Sequence, residues 1–91
     1  MERVIAVVSG KVQGVWYRDF AVRSGLGLGL TGTTMNMRDG TVRVVAEGPR
    51  EKLDAFVALL RTGPPLADVT DVALAYAPAT GEYADFSISY E

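Results

Sequence analysis

Residues 10–18, Gly10-Lys11-Val12-Gln13-Gly14-Val15-Trp16-Tyr17-Arg18, join an apolar run at residues 4–8 to a segment with helical spacing. A chain with that junction has to turn sharply from a buried strand into a helix. Gly14 suits the turn, because a positive φ carries no steric penalty for glycine. The stretch holds no proline, so every residue from Lys11 to Arg18 has a backbone N–H. The first N–H groups of a helix lack an intrahelical acceptor, and the helix dipole favours negative charge beside them. Strand, glycine loop, helix start and one arginine together suit a small anion, phosphate above all.

The rest of the chain supplies a sheet and a second helix. Residues 3–9 are nearly all apolar, as in a central strand. From 17 to about 27, Tyr17, Phe20, Ala21, Ser24 and Leu28 keep helical spacing, and Gly25 and Gly27 weaken the last turn. Residues 30–37 and 41–47 are β-rich, and Asp39-Gly40 between them signals a hairpin. In the second of these runs, Val42, Val44 and Ala46 form a buried face and Thr41, Arg43 and Glu47 a wet one. Pro49 opens a helix whose apolar stripe is Leu53, Phe56, Val57 and Leu60, and Gly63-Pro64-Pro65 stops it. Val72, Leu74 and Tyr76 alternate in a further strand, and Phe86, Ile88 and Tyr90 in a last one. The order β-α-β-β-α-β with an extra C-terminal strand predicts an α+β, ferredoxin-like split βαβ sandwich. Its antiparallel sheet carries both helices on one face, in a single domain over residues 1–91.

Composition removes several chemistries. The chain has no cysteine and no histidine. That excludes disulfides, Cys/His metal sites, a histidine base and a cysteine nucleophile. None of its 11 carboxylates falls in a metal-ligand motif. The glycine loop lacks the Gly-Lys-Ser/Thr ending of a nucleotide loop. No metal and no cofactor are therefore expected. A net charge of −2 weighs against a nucleic-acid partner. So does the lack of aromatics in runs 3–9 and 41–47, because RNA-binding sheets of this topology stack bases on such rings. The start of the chain reads as a strand and not as a signal peptide, and no run approaches the ~20 apolar residues of a membrane span. A cytoplasmic protein with no membrane partner is the expectation, as a monomer.

Two signatures carry a resemblance to the acylphosphatase family. The first is Gly10-x-Val12-Gln13-Gly14-Val15-x-Tyr17-Arg18. The second is Gly32-x-x-Met35-Asn36-x-x-x-Gly40-x-Val42, ending at Gly48. Leu28-Gly29-Leu30-Thr31-Gly32 and Phe86-x-Ile88 are similar to family segments as well, so the likeness spans nearly the whole chain. Thr33 and Thr34 depart from it, where the family usually has an aromatic and then a small apolar residue.

The resemblance implies hydrolysis of a small-molecule acyl phosphate to a carboxylate and inorganic phosphate. It implies Arg18 as the phosphate-binding arginine and Asn36 as the residue that positions the attacking water. Val12, Gln13, Gly14, Val15, Trp16, Tyr17 and Arg18 would form the phosphate-binding loop, with inorganic phosphate or sulfate as further ligands.

Read as residues, Arg18 has the planar fork that holds two phosphate oxygens, or it pairs with Asp19. Asn36 can orient a water, or it prepares the Asp39-Gly40 turn. Tyr17 fits the core at the head of the helix, and Trp16 stays open between acyl contact and no role. A carboxylate leaving group, whose acid has a pKa of roughly 4, needs no protein general acid. The competing reading is a non-enzymatic phosphate- or metabolite-binding domain that retains the cradle. Another is the acylphosphatase-like segment of a larger maturation protein, against which a free-standing chain argues.

Overall fold

Val4, Ala6 and Val8 alternate along the first strand and are fully buried, so one face of that strand belongs to the core. In the computed structural model, which describes residues 1–90, seven elements follow in order. They are β1 (Glu2–Lys11), α1 (Tyr17–Gly27), β2 (Thr31–Asn36), β3 (Val42–Gly48), α2 (Arg50–Thr62), β4 (Asp68–Pro78) and β5 (Phe86–Ser89). The sheet order is β4-β1-β3-β2-β5. Strand β1 lies antiparallel between β3 and β4, and β2 lies antiparallel to β3. Strand β5 is parallel to β2, from Gly32 opposite Phe86 to Met35 opposite Ser89, so the five-stranded sheet is mixed. The chain leaves β4 at one edge and crosses to the other edge before β5 begins. It therefore enters β5 from the end at which β2 also starts.

Both helices cover the Val4–Ala6–Val8 face. Tyr17 and Ala21 of α1 and Leu53 and Phe56 of α2 share one buried cluster with it. Helix α2 follows the expected stripe, with Leu53, Phe56, Val57 and Leu60 buried. The Tyr17 hydroxyl donates to the Leu60 carbonyl at 2.7 Å, which ties the head of α1 to the end of α2. Burial pushes that phenol's pKa well up, so it stays a neutral donor. No helix of the described residues is long and apolar enough to cross a membrane.

Gly25 shows why a poor helix former sits inside α1. A Cβ there would lie 2.5 Å from two carbons of the Phe86 ring. That ring is buried and meets Phe56 edge-on, with centroids 5.6 Å apart. Glycine costs a helix about 1 kcal/mol relative to alanine. Burying a phenylalanine contributes about 2 kcal/mol, so close packing on β5 outweighs propensity.

Glu47 corrects the expected wet face of β3. It is 5% exposed, because residues 80–81 fold over that end of the sheet. Glu47 Oε2 accepts from Arg3 Nε–H at 2.7 Å, the Thr80 N–H at 2.9 Å and the Thr80 hydroxyl at 3.1 Å. Its Oε1 accepts from the Gly81 N–H at 2.9 Å. Burial alone pushes the carboxyl pKa up. The donors outweigh burial and hold it at about 2, against an ordinary 4.5.

Two outcomes follow from this packing. Gly25→Ala should lower stability in a denaturant titration despite its better propensity, and a gain would contradict the Phe86 contact. A carboxyl depressed in the folded state stabilises fully above its unfolded pKa. That contribution is lost as pH falls from about 4.5 to about 2. Melting temperatures of Glu47→Gln across that range should therefore fall less steeply than those of the wild type.

Candidate active site

Strand β1 ends at Lys11, and the chain then makes a short loop whose two valines face inward. Val12 and Val15 are buried and anchor the loop, while Gly14 between them is exposed at φ 75°. Trp16 precedes α1 at φ 68°, ψ 20°, in the left-handed region, and no side chain caps the helix. The first helical bond runs from the Phe20 N–H to the Trp16 carbonyl at 3.0 Å. The N–H groups ahead of it have no intrahelical acceptor and remain available to an anion.

A cavity of about 390 Å³ opens at this point. Val12, Gly14 and Trp16 of the loop line it, with Tyr17 and Arg18 from the first turn of α1 and Asn36 from the end of β2. Two sequence-distant candidates, Arg18 and Asn36, thus share one cavity. Gln13 and Val15 do not line it. Val15 packs inward, and the Gln13 side chain donates to the carbonyls of Met37 at 2.8 Å and Thr41 at 2.9 Å. Those two bonds clamp the loop to the β2–β3 hairpin and so hold Asn36 beside the helix start.

The electrostatics leave Arg18 available. Asp19 pairs with Arg23 one turn along the helix, its Oδ2 accepting from Arg23 Nε–H at 2.9 Å. The alternative Arg18–Asp19 pair is not formed. The Arg18 guanidinium lies 5.6 Å from the centroid of the Tyr90 ring, within cation–π range. At the hairpin, Asp39 makes the side-chain bonds of the turn, accepting from the Thr41 N–H at 3.0 Å and the Thr41 hydroxyl at 2.6 Å. Those bonds lower the Asp39 pKa, the hydroxyl contributing most. Asn36 is not spent on the turn. Its Oδ1 is buried and has no hydrogen-bond partner among the described residues.

Sequence reasoning missed two contributors on β5 and beyond it. Ile88 also lines the cavity, and Tyr90 meets Arg18. Their alternation with Phe86 was visible, but the parallel pairing that brings them beside β2 was not. The two threonines separate in role. Thr33 joins β2 to β5 through the Ser89 hydroxyl at 2.6 Å. Thr34 is fully buried, and its hydroxyl has no partner among the described residues.

The fold and cavity define a ferredoxin-like α+β sandwich with a cavity at its first strand-to-helix turn. The acylphosphatase family model matches residues 4–88. An acylphosphatase of Methylococcus capsulatus is 49% identical over 88 residues, 97% of this chain and 96% of that one. The crystal structure of acylphosphatase from Bacillus subtilis superposes with a TM-score of 0.95 at 34% identity, covering 99% of this chain and 100% of that one. An acylphosphatase structure from Coxiella burnetii gives 0.86 at 37%, covering 97% and 93%. The chain belongs to the acylphosphatase family. Family and fold together support hydrolysis of acyl phosphates.

The Gln13 clamp has a measurable consequence. Gln13→Ala removes two side-chain hydrogen bonds, at a cost of roughly 2 kcal/mol, and leaves the Met37 and Thr41 carbonyls only their backbone donors, the Gly40 and Met37 N–H groups. Urea unfolding should show that loss, and faster amide exchange should be confined to the β2–β3 hairpin. Unchanged hairpin exchange would contradict the clamp.

Proposed function

We propose that residues 1–91 act as one domain that hydrolyses acyl phosphates without a metal ion. The observation that carries this reading is the meeting of Arg18 with Asn36 at one cavity beside uncapped helix N–H groups. The phosphoryl oxygens of the substrate rest on N–H groups between Val12 and Arg18. The Arg18 fork holds two of them. These donors are fixed before the substrate arrives, so they stabilise charge without reorganising. The positive field that a metal would otherwise supply comes from Arg18 and the backbone dipoles.

The Asn36 carboxamide hydrogen-bonds a water and aims the water oxygen at phosphorus, opposite the acyl oxygen. A new P–O bond forms to the water oxygen as the bond from phosphorus to the acyl oxygen breaks. The electron pair of the broken bond leaves with the carboxylate. The water's proton passes to a phosphate oxygen, which gives inorganic phosphate. A chain without histidine can run this reaction because the leaving carboxylate is a weak base. Most of the catalysis is then positioning and electrostatics.

The test is hydrolysis of benzoyl phosphate in the presence of EDTA, with phosphate binding measured by calorimetry. Wild type should turn over. Asn36→Ala should lose roughly 10²–10³-fold in kcat, as when one preorganised polar group is removed, and keep its phosphate affinity. Arg18→Ala should lose both. Phosphate binding by the wild type without turnover would defeat the enzymatic reading and leave an anion-binding domain. Activity abolished by EDTA would defeat metal independence.

A further inference from the structure

Trp16 holds a left-handed conformation that side chains rarely adopt, and it is 74% exposed. Residues kept in such conformations cluster at binding sites, where the surroundings over-determine them. Trp16 lines two cavities. One contains Arg18 and Asn36. The other, of about 450 Å³, runs from Trp16 between Phe20 of α1 and the segment after α2, where Pro64, Pro65 and Leu66 form the far wall. Leu66 is 63% exposed, a large aliphatic side chain with little to cover it. Asp19 stands at both cavities, but Arg23 neutralises it there. The trough thus has an apolar far wall, a near wall where Phe20 stands among Asp19, Arg23 and Ser24, and no unpaired charge at its entrance.

We propose that this second cavity is the acyl subsite, and that it selects acyl phosphates with long, neutral, apolar acyl groups. The inference rests on the acyl-phosphate reading above. With the phosphoryl group at Arg18, the acyl carbon lies at the Trp16 edge that both cavities share. The tail continues over the indole into the trough between Phe20 and Leu66. Full burial of a methylene is worth roughly fourfold in binding, and an open trough recovers part of that for each one. An acetyl group is too short to pass Trp16 and gains nothing there.

The experiment compares octanoyl phosphate with acetyl phosphate on wild type, Leu66→Asp and Leu66→Phe, below the micellar concentration. Leu66 is exposed and lies outside the Arg18 cavity, so acetyl phosphate hydrolysis serves as the internal control. Wild type should favour octanoyl phosphate in kcat/KM. Leu66→Asp should cut that preference about tenfold through KM, with acetyl phosphate unchanged, and Leu66→Phe should retain it. An octanoyl-to-acetyl ratio that Leu66→Asp leaves unmoved overturns the subsite.

A second readout is independent of turnover. Trp16 is the single tryptophan, so its fluorescence reports ligands at this edge. Octylphosphonate should bind more tightly than methylphosphonate and shift the emission further, and Leu66→Asp should remove the difference. Equal binding of the two phosphonates overturns the subsite. Failure of the wild type to hydrolyse either acyl phosphate defeats the underlying reading instead, and the phosphonates still decide whether the trough takes an apolar tail.

Discussion

The Gln13 carboxamide gives its N–H groups to the carbonyls of Met37 and Thr41, one on each side of the β2–β3 turn. Each bond adds only about 1 kcal/mol to stability. Their placement matters more than their strength. Asn36 is next to Met37, near the free tip of a two-stranded hairpin, where local opening is easiest. Arg18 sits on a different element. Without a tie between loop and hairpin, the distance between these two groups would follow the motion of the tip. A misplacement of about 1 Å can cost roughly 10²-fold in rate. The glutamine ties the loop to the hairpin at two points, next to the strand end that carries Asn36.

The opposite end of the sheet fixes the remaining wall. Arg3 and Glu47 are paired across β1 and β3, and the segment leaving β4 closes over them through Thr80 and Gly81. That segment crosses to the far edge, where the Gly32 N–H meets the Asp85 carbonyl at 2.8 Å and β5 begins beside β2. The register set there puts Ile88 opposite Thr34, two residues short of Asn36, and so at the cavity. The donors to Glu47 outweigh its desolvation, and the bonds to Thr80 and Gly81 hold the crossing segment over that end of the sheet.

Local patterns made most of the fold legible. The α2 stripe, the Asp39-Gly40 turn and the strand-loop-helix at 10–18 each rest on neighbours within a few residues, and all three formed as the sequence reads. What escaped depends on residues far apart in the chain. Alternation put Glu47 on the correct side of β3 but held no sign that Thr80 and Gly81 would cover it. Propensity treated Gly25 as a weak point in α1, whereas the Phe86 ring demands it. Gln13 was legible as a loop residue, yet its side chain bonds elements that only the folded chain brings near. Trp16 is the sharpest case, since nothing in its residue type foretells a left-handed backbone.

The proposed anion cradle lies on a chain of net charge −2. A carboxylate in the first turn of a helix is favoured by the dipole, and Asp19 is such a residue. Left unpaired, it would offset the charge of Arg18 and compete for the N–H groups on which a phosphate would rest. Arg23 lies four residues on and pairs with the Asp19 carboxylate where it stands at the cavity. An exposed pair of this kind adds little to stability. Its effect is on direction: it keeps a nearby negative charge occupied and leaves the Arg18 guanidinium against the Tyr90 ring, a neighbour that supports a cation without neutralising it. The field at the cavity is thus set by a handful of oriented groups within a few ångströms. Net charge, screened over about 8 Å at physiological ionic strength, has little say in it.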